Sequence, residues 1–278
     1  MNSILKPHQT PAIDKNLLGW ESIVRKWGQT KYPRRPSSED LKKIEPLVSK
    51  HQGQVAIFGA TPEFRYMLAK ISFQKANSYD LFLIEKSDLS FRVMNSILKK
   101  EFKLVPKKEQ LVSADWEEFS FPKNQFSLLL GDTILGYLQT KERLEKFLNN
   151  CYYSLEPRGS FILREFLFDK KNYLKLSPKE VRYSPLDKDK KRWAYIFIKG
   201  FATENGTFNE EKLTYNLLHK VADTKVFRTC ADPPRIRLLL NSADFEKIAL
   251  NSGFKITIIS PQKTDLYPHP AILELKKY

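Results

Sequence analysis

The sequence predicts an α/β fold: a doubly wound, mostly parallel sheet with a helical N-terminal extension and an inserted cap after strand five. Three observations carry that expectation. Between residues 51 and 166, short apolar runs rich in β-branched and aromatic residues alternate with segments whose apolar residues recur at helical spacing. The run Phe126 to Leu130 has no polar face except Ser127, as suits a strand covered on both sides. Two further strand-like runs, Lys255 to Ile259 and Ala271 to Leu275, offer an antiparallel pair.

Taken in order, Leu17, Trp20, Val24 and Trp27 give a helix over Ile13 to Gly28, and Tyr32 to Pro36 breaks it. Ser37, Ser38, Glu39 and Asp40 form a cap signal for a second helix through Leu41, Ile44 and Leu47. Gln54 to Phe58 reads as strand one, Gly59 as its turn, and Phe64, Met67, Leu68 and Ile71 as a helix face. Leu81 to Ile84 and Leu89 to Lys100 repeat the unit. Gln110 to Val112 is a short strand leading to a turn at Asp115 and Trp116. After strand four, a helix over Lys141 to Leu155 ends at Pro157, Arg158 and Gly159, and Ser160 to Phe166 is strand five. Leu167 to Arg237 interrupts the rhythm with a strand-like Trp193 to Ile198 and a helical Asn209 to Val221. Ser242 caps a last helix to Asn251, closed by Gly253. The expected domains are a helical extension or lid at 1–50, a ligand-binding core at 51–166, an inserted basic cap or substrate segment at 167–237, and a helix with the last two strands completing the core at 238–278.

With 41% hydrophobic and 13% aromatic residues over 278 positions, the composition excludes a disordered basic tail. No apolar run approaches the roughly 20 residues of a membrane span, and the opening residues lack an apolar signal segment. The expected compartment is the cytoplasm. Cys151, Cys230 and four histidines have no metal-ligand spacing, so no metal is expected. The net charge of +15 is concentrated in Met1 to Lys50 (+5) and Leu167 to Lys199 (+6). Such flanks can steer nucleic acid or another polyanion, or can simply solvate the surface. Lys supplies 34 of the 47 basic residues, which favours the second reading.

In an open α/β sheet, ligands bind beyond the carboxyl ends of the strands. Four such positions here are suggestive. Gly59 after strand one permits close backbone approach, with Ala60, Thr61, Pro62 and Glu63 opening the helix. Glu85 after strand two could accept both hydroxyls of a ribose. Asp115 and Trp116 after strand three pair an acceptor for an exocyclic amine with a flat apolar surface. Gly131 and Asp132 end strand four. Each alone has a plain alternative as a turn, a solvated acid or a core ring. Together, in order, they point to a nucleoside-containing ligand. Only one glycine stands where a dinucleotide-binding turn needs three.

Val55-Ala56-Ile57-Phe58-Gly59-Ala60-Thr61-Pro62-Glu63 resembles the first motif of the class I S-adenosylmethionine-dependent methyltransferases, in a Gly-x-Thr-Pro-Glu form. Ile84-Glu85 resembles the family's ribose-holding acid. Ala114-Asp115-Trp116, then Leu128-Leu129-Leu130-Gly131-Asp132, resemble the run from the adenine-binding acid to the fourth motif, and Leu155-Glu156-Pro157-Arg158-Gly159 resembles the approach to strand five. The likeness spans about Ser49 to Glu165. It implies a Rossmann-like fold and S-adenosyl-L-methionine as cofactor, held by Gly59, Ala60, Thr61, Glu63, Glu85, Lys86, Asp115, Trp116, Gly131 and Asp132. It also implies methyl transfer to an acceptor, and the excess of Lys over Arg, with no aromatic-studded basic stripe, favours a small molecule over RNA or another polyanion. A non-catalytic nucleotide- or nucleic-acid-binding module is the third reading.

In such chemistry the protein orients a nucleophile and, where that nucleophile carries a proton, supplies a base. Asp132 is the candidate base, with cofactor binding or helix capping as its alternatives. Tyr137, Glu165 and His8 are lesser candidates. Trp27 and Tyr32, with Tyr137, are candidate lid or substrate residues, the alternative for the tryptophan being packing of its helix onto the sheet.

Overall fold

The computed structural model describes residues 34–75, 79–118, 120–168, 240–260 and 270–278, together with residues 21, 24–25, 27–29, 207–209 and 236–238. Helix α1 (Ser38–Val48) opens with a reciprocal cap: Ser37 Oγ accepts from Asp40 N, and Asp40 Oδ2 accepts from Ser37 N, each at 3.0 Å. Then follow β1 (Gly53–Phe58), α2 (Pro62–Lys75), β2 (Tyr79–Ile84), α3 (Asp88–Glu101), β3 (Glu109–Val112) and β4 (Phe126–Asp132). Proline at the first position of α2 gives up a hydrogen bond that no helix could have used there. After β4 a short 3-10 turn (Leu135–Leu138) leads to α4 (Lys141–Ser154), β5 (Leu155–Glu165), α5 (Ser242–Asn251), β6 (Lys255–Ser260) and β7 (Ala271–Lys276).

The seven strands form one sheet in the order β6-β7-β5-β4-β1-β2-β3. Neighbouring pairs from β5 through β3 are parallel, whereas β7 is antiparallel to both β5 and β6. The predicted doubly wound, mostly parallel, Rossmann-like sheet is therefore present, and its strand order reverses between β1 and β4. Ligands of such sheets collect at that point.

Both faces are covered, as the apolar runs required. Val55, Ile57, Leu128, Leu130 and Ile162 meet α1 and α2 through Ile44, Val48, Phe64 and Met67. The alternate residues Ala56, Phe58, Leu129, Phe161 and Leu163 meet α4 and α5 through Phe147, Leu148, Phe245 and Ala249. The period of two along each strand sorts these residues between two layers.

The structure departs from the sequence reading in places. β4 runs on through Gly131 and Asp132, and β5 starts at Leu155 instead of Ser160. Pro157-Arg158-Gly159 does not interrupt the strand because Arg158, at φ 67°, keeps its backbone paired: its N donates to Lys277 O, and Lys277 N donates to Gly159 O. The helix capped in the reading by Ser242 includes that residue as its first position. In the segment expected to form a cap, residues 167–168 pair in parallel with 240–241, and 207–209 pair antiparallel with 236–238. The expected elements at Trp193 to Ile198 and Asn209 to Val221, most of the Ile13 to Gly28 helix, and His8, Trp20, Tyr32 and Cys230 lie outside the described residues. Among the described residues, no helix is long and apolar enough to cross a membrane, and no group of three or more His, Cys, Asp or Glu could hold a metal ion.

Candidate functional site

The turn after β1 depends on Gly59, whose φ of 92° lies where only glycine is unstrained. Its N donates to Ile84 O at 2.8 Å. The same carbonyl accepts from Trp116 Nε1 at 2.7 Å. One backbone oxygen at the end of β2 thus fixes both the glycine turn and the indole, and the ring lies 3.8 Å from where a Cβ on Gly59 would stand. Trp116 meets Tyr137 edge to face, with centroids 6.2 Å apart. Tyr137 rides on the 3-10 turn after β4, which Glu165 tethers by accepting from Leu135 N at 2.8 Å.

Glu85 follows directly in the chain. It is 3% exposed, its N donates to Val112 O, and Oε1 accepts from Ser87 N at 2.8 Å. Lys86 reaches Asp115 at 3.2 Å, and Asp115 Oδ1 also accepts from Glu117 N. The predicted residues Gly59, Glu85, Lys86, Asp115, Trp116 and Tyr137 are accordingly gathered along the carboxyl edge of β1, β2 and β3 and the turn after β4.

A second group of predicted residues is held in an ionic network at the ends of β4 and β5 and the head of α2. Arg164, fully buried on β5, donates from Nη1 to Asp132 Oδ1 at 2.7 Å, from Nε to Asp40 Oδ2 at 3.0 Å and from Nη2 to Arg35 O at 3.1 Å. Arg35 in turn pairs with Glu63 at 2.5 Å and Glu101 at 2.7 Å. Asp132 is pushed up to about 6 by burial, against the pull of Arg164. Burial likewise raises Glu63 against Arg35 and pushes Glu165 up to about 7 against its bonds from Leu135 N and Phe166 N. Asp132 Oδ2 and Glu63 Oε2 are buried without a hydrogen-bond partner among the described residues.

Gly131 has a packing reason. A Cβ there would stand 2.7 Å from Ile134 and 2.8 Å from Leu163. Ala60 and Thr61 are buried at the head of α2. Trp27, 5% exposed, packs with Val24 on Ala60, Met94 and Ile97, so these two residues of the extension sit beside the glycine turn. Glu21 adds a contact by accepting from Ser87 Oγ at 2.6 Å.

The sequence marks neither Arg35 nor Arg164 as a site residue, and it offers Asp40 only as part of a helix cap. Arg164 left one signal: it is a cation inside the apolar run of strand five, and a buried charge requires a buried counter-ion.

No protein-family model matches the chain, and no curated protein matches it in sequence. Solved structures do match in fold. A methyltransferase described as SAM-dependent from Methanosarcina mazei aligns with a TM-score of 0.52 at 12% identity over 87% of this chain and 98% of its own. The 1,6-didemethyltoxoflavin-N1-methyltransferase of Burkholderia thailandensis, solved with 1,6-didemethyltoxoflavin and S-adenosylhomocysteine bound, aligns with a TM-score of 0.53 at 11% identity over 99% and 93%. A Rhodobacter sphaeroides protein provisionally named a Zn-dependent alcohol dehydrogenase aligns with a TM-score of 0.58 at 14% identity over 95% and 99%. At such identities the likeness carries the Rossmann-like fold.

Proposed function

We propose that this protein binds S-adenosyl-L-methionine and transfers its methyl group to a small-molecule acceptor. The observation that carries the proposal is the convergence on residue Ile84: Gly59 and Trp116 share its carbonyl, and Glu85 follows it, at the carboxyl edge where the strand order reverses. An acid, an aromatic plane and a side-chain-free turn are the chemistry that a ribose, a purine and an extended amino-acid tail require. The methyltransferases among the fold neighbours support the same reading.

Glu85 would hold the ribose hydroxyls, Asp115 the adenine amine and Trp116 one face of the ring, with Lys86 restraining Asp115. Gly59 and the backbone through Ala60 and Thr61 would border the amino-acid end. The bound cofactor supplies a methyl carbon already activated by its sulfonium, so the chain's own task is to orient the acceptor and keep water out. Tyr137, on a turn tethered by Glu165, faces Trp116 and would border the acceptor. Glu63 and Asp132 are engaged by Arg35 and Arg164. We assign them to positioning the head of α2 and the end of β4, in place of direct cofactor contact and, for Asp132, the base role. A small acceptor is favoured over a polyanion because Lys, which lacks the bidentate fork that grips phosphate, supplies 34 of the 47 basic residues. A cytoplasmic compartment belongs to the same proposal.

Calorimetric titration with S-adenosylmethionine and S-adenosylhomocysteine tests it. Stoichiometric binding of both is expected. A folded protein that binds neither overturns the reading.

A further inference from the structure

The opposite end of the sheet carries a groove that the proposed chemistry does not use. It encloses about 320 Å³ between the last two turns of α2, the start of β2 and the loop before β3, and Leu68, Phe73, Tyr79, Leu81, Leu104 and Val105 supply its apolar wall. Tyr79 begins β2 and Ile84 ends it, so the groove and the glycine turn are separated by the length of that strand, about 17 Å at the usual rise. Phe73 is 76% exposed and Val105 46%. A phenyl ring with that much surface in water, beside an open apolar cleft, is the kind of feature that marks an interaction surface.

The rim is cationic. Lys107 and Lys108 line it directly, Lys75 closes α2, and Lys99, Lys100 and Lys103 lie at the end of α3 and in the loop that leads to the lining residue Leu104. The acids of the same corner are already engaged: Asp80 by Lys108 at 3.6 Å, Glu101 by Arg35 at 2.7 Å and Glu109 by Arg65 at 2.6 Å. Lys75, Lys99, Lys100, Lys103 and Lys107 form no ion pair among the described residues. The corner therefore presents a local excess of positive charge around an apolar slot, within a stretch of sequence whose overall charge is almost balanced.

We propose that this groove docks an acidic amphipathic segment of a partner protein, which seats a bulky apolar side chain against Phe73 and Val105 and sets carboxylates against the lysine rim. The complementarity is specific in kind. The lysines attract acids but lack the fork geometry by which arginine grips phosphate, and a single exposed ring in an apolar slot suits an inserted side chain better than a succession of stacked bases. Lysine charge at the rim steers the encounter, and the desolvated aromatic anchor supplies most of the affinity.

The test uses the full chain and a fluorescein-labelled peptide with leucine and phenylalanine on one helical face and glutamate on the other, read by anisotropy. Saturable binding is expected, weakened roughly tenfold by Phe73→Ser and weakened further by the combined Lys103→Glu, Lys107→Glu and Lys108→Glu. All these positions are exposed, so the variants are expected to keep the wild-type circular dichroism and unfolding midpoint. A peptide with lysine in place of glutamate should not bind. Absence of saturable binding, or binding indifferent to both sets of substitutions, overturns the proposal. Preferential capture of a single-stranded oligonucleotide or an anionic vesicle by the same residues overturns it as well, by giving the surface a different partner.

Discussion

Asp132 and Arg164 are joined twice, once as register partners on the parallel strands β4 and β5 and once as a buried ion pair of 2.7 Å. The guanidinium also holds Asp40 of α1, so one side chain ties two strands to the segment that precedes the sheet. Arg164→Met should cost about 3 to 5 kcal/mol, because it leaves two carboxylates in the interior without their cation. Urea unfolding of the purified variant measures this, and a loss below about 1 kcal/mol would show the network to be dispensable.

The acids of this region set a pH dependence. Burial raises Asp132 to about 6 and Glu165 to about 7, so the folded protein holds their protons more tightly than the unfolded chain does. The resulting stability is complete below the ordinary carboxylate range and is lost as pH rises through about 6 and then about 7. His51, which burial lowers, acts in the opposite direction. Comparing wild type with Glu165→Gln isolates the acid: the variant should lose less stability between about pH 5 and pH 8. Parallel curves for the two proteins would refute the assignment.

Glu85→Ala should weaken S-adenosylmethionine binding about ten- to a hundredfold, the worth of hydrogen bonds to a charged acceptor. Asp115→Asn should cost less, since its amide oxygen still accepts from an adenine amine. Calorimetry on the folded variants decides both, and an affinity for Glu85→Ala within about twofold of wild type would place the ribose elsewhere.

Two glycines should fail for different reasons. Gly131→Ala drives a methyl group into Ile134 and Leu163 and should destabilise the fold by about 1 to 3 kcal/mol. Gly59→Ala meets nothing closer than Trp116 at 3.8 Å, but its φ of 92° should cost about 1 to 3 kcal/mol in backbone strain. If strain at the turn is local, Gly59→Ala should also weaken cofactor binding, while Gly131→Ala should leave the affinity of the folded fraction near wild type.

The sheet was legible because its signals are local. Val55 to Phe58 and Leu128 to Leu130 announce buried strands within a few residues, and Gly59-Ala60-Thr61-Pro62 announces a turn and a helix start. The ionic network was not, since Arg164 meets Asp40 across 124 positions and no sequence period links them. Asp132 was found by its place at the end of a strand, but its arginine partner, which changes what its carboxylate can do, was hidden for the same reason. Trp27 illustrates a different gap: helical spacing gave two readings of its ring, and only the packing on Ala60, Met94 and Ile97 says what it touches. The lysine-rimmed groove was masked by averaging, because two of the acids that balance those lysines in a charge count, Glu101 and Glu109, are paired with arginines in space.

The antiparallel β7 between β5 and β6 also governs the order in which this sheet can be completed during synthesis. Glu165 finds its register partner in Ala271, about a hundred residues further along the chain. At ribosomal rates of about 5 to 20 residues per second, the interval is on the order of 5 to 20 s. Throughout it, the backbone edge of β5 that will receive β7 has no strand beside it, next to Phe161, Ile162 and Leu163. A nascent chain in that state offers a template for a foreign strand, so translation speed across the intervening stretch and chaperone occupancy become determinants of yield.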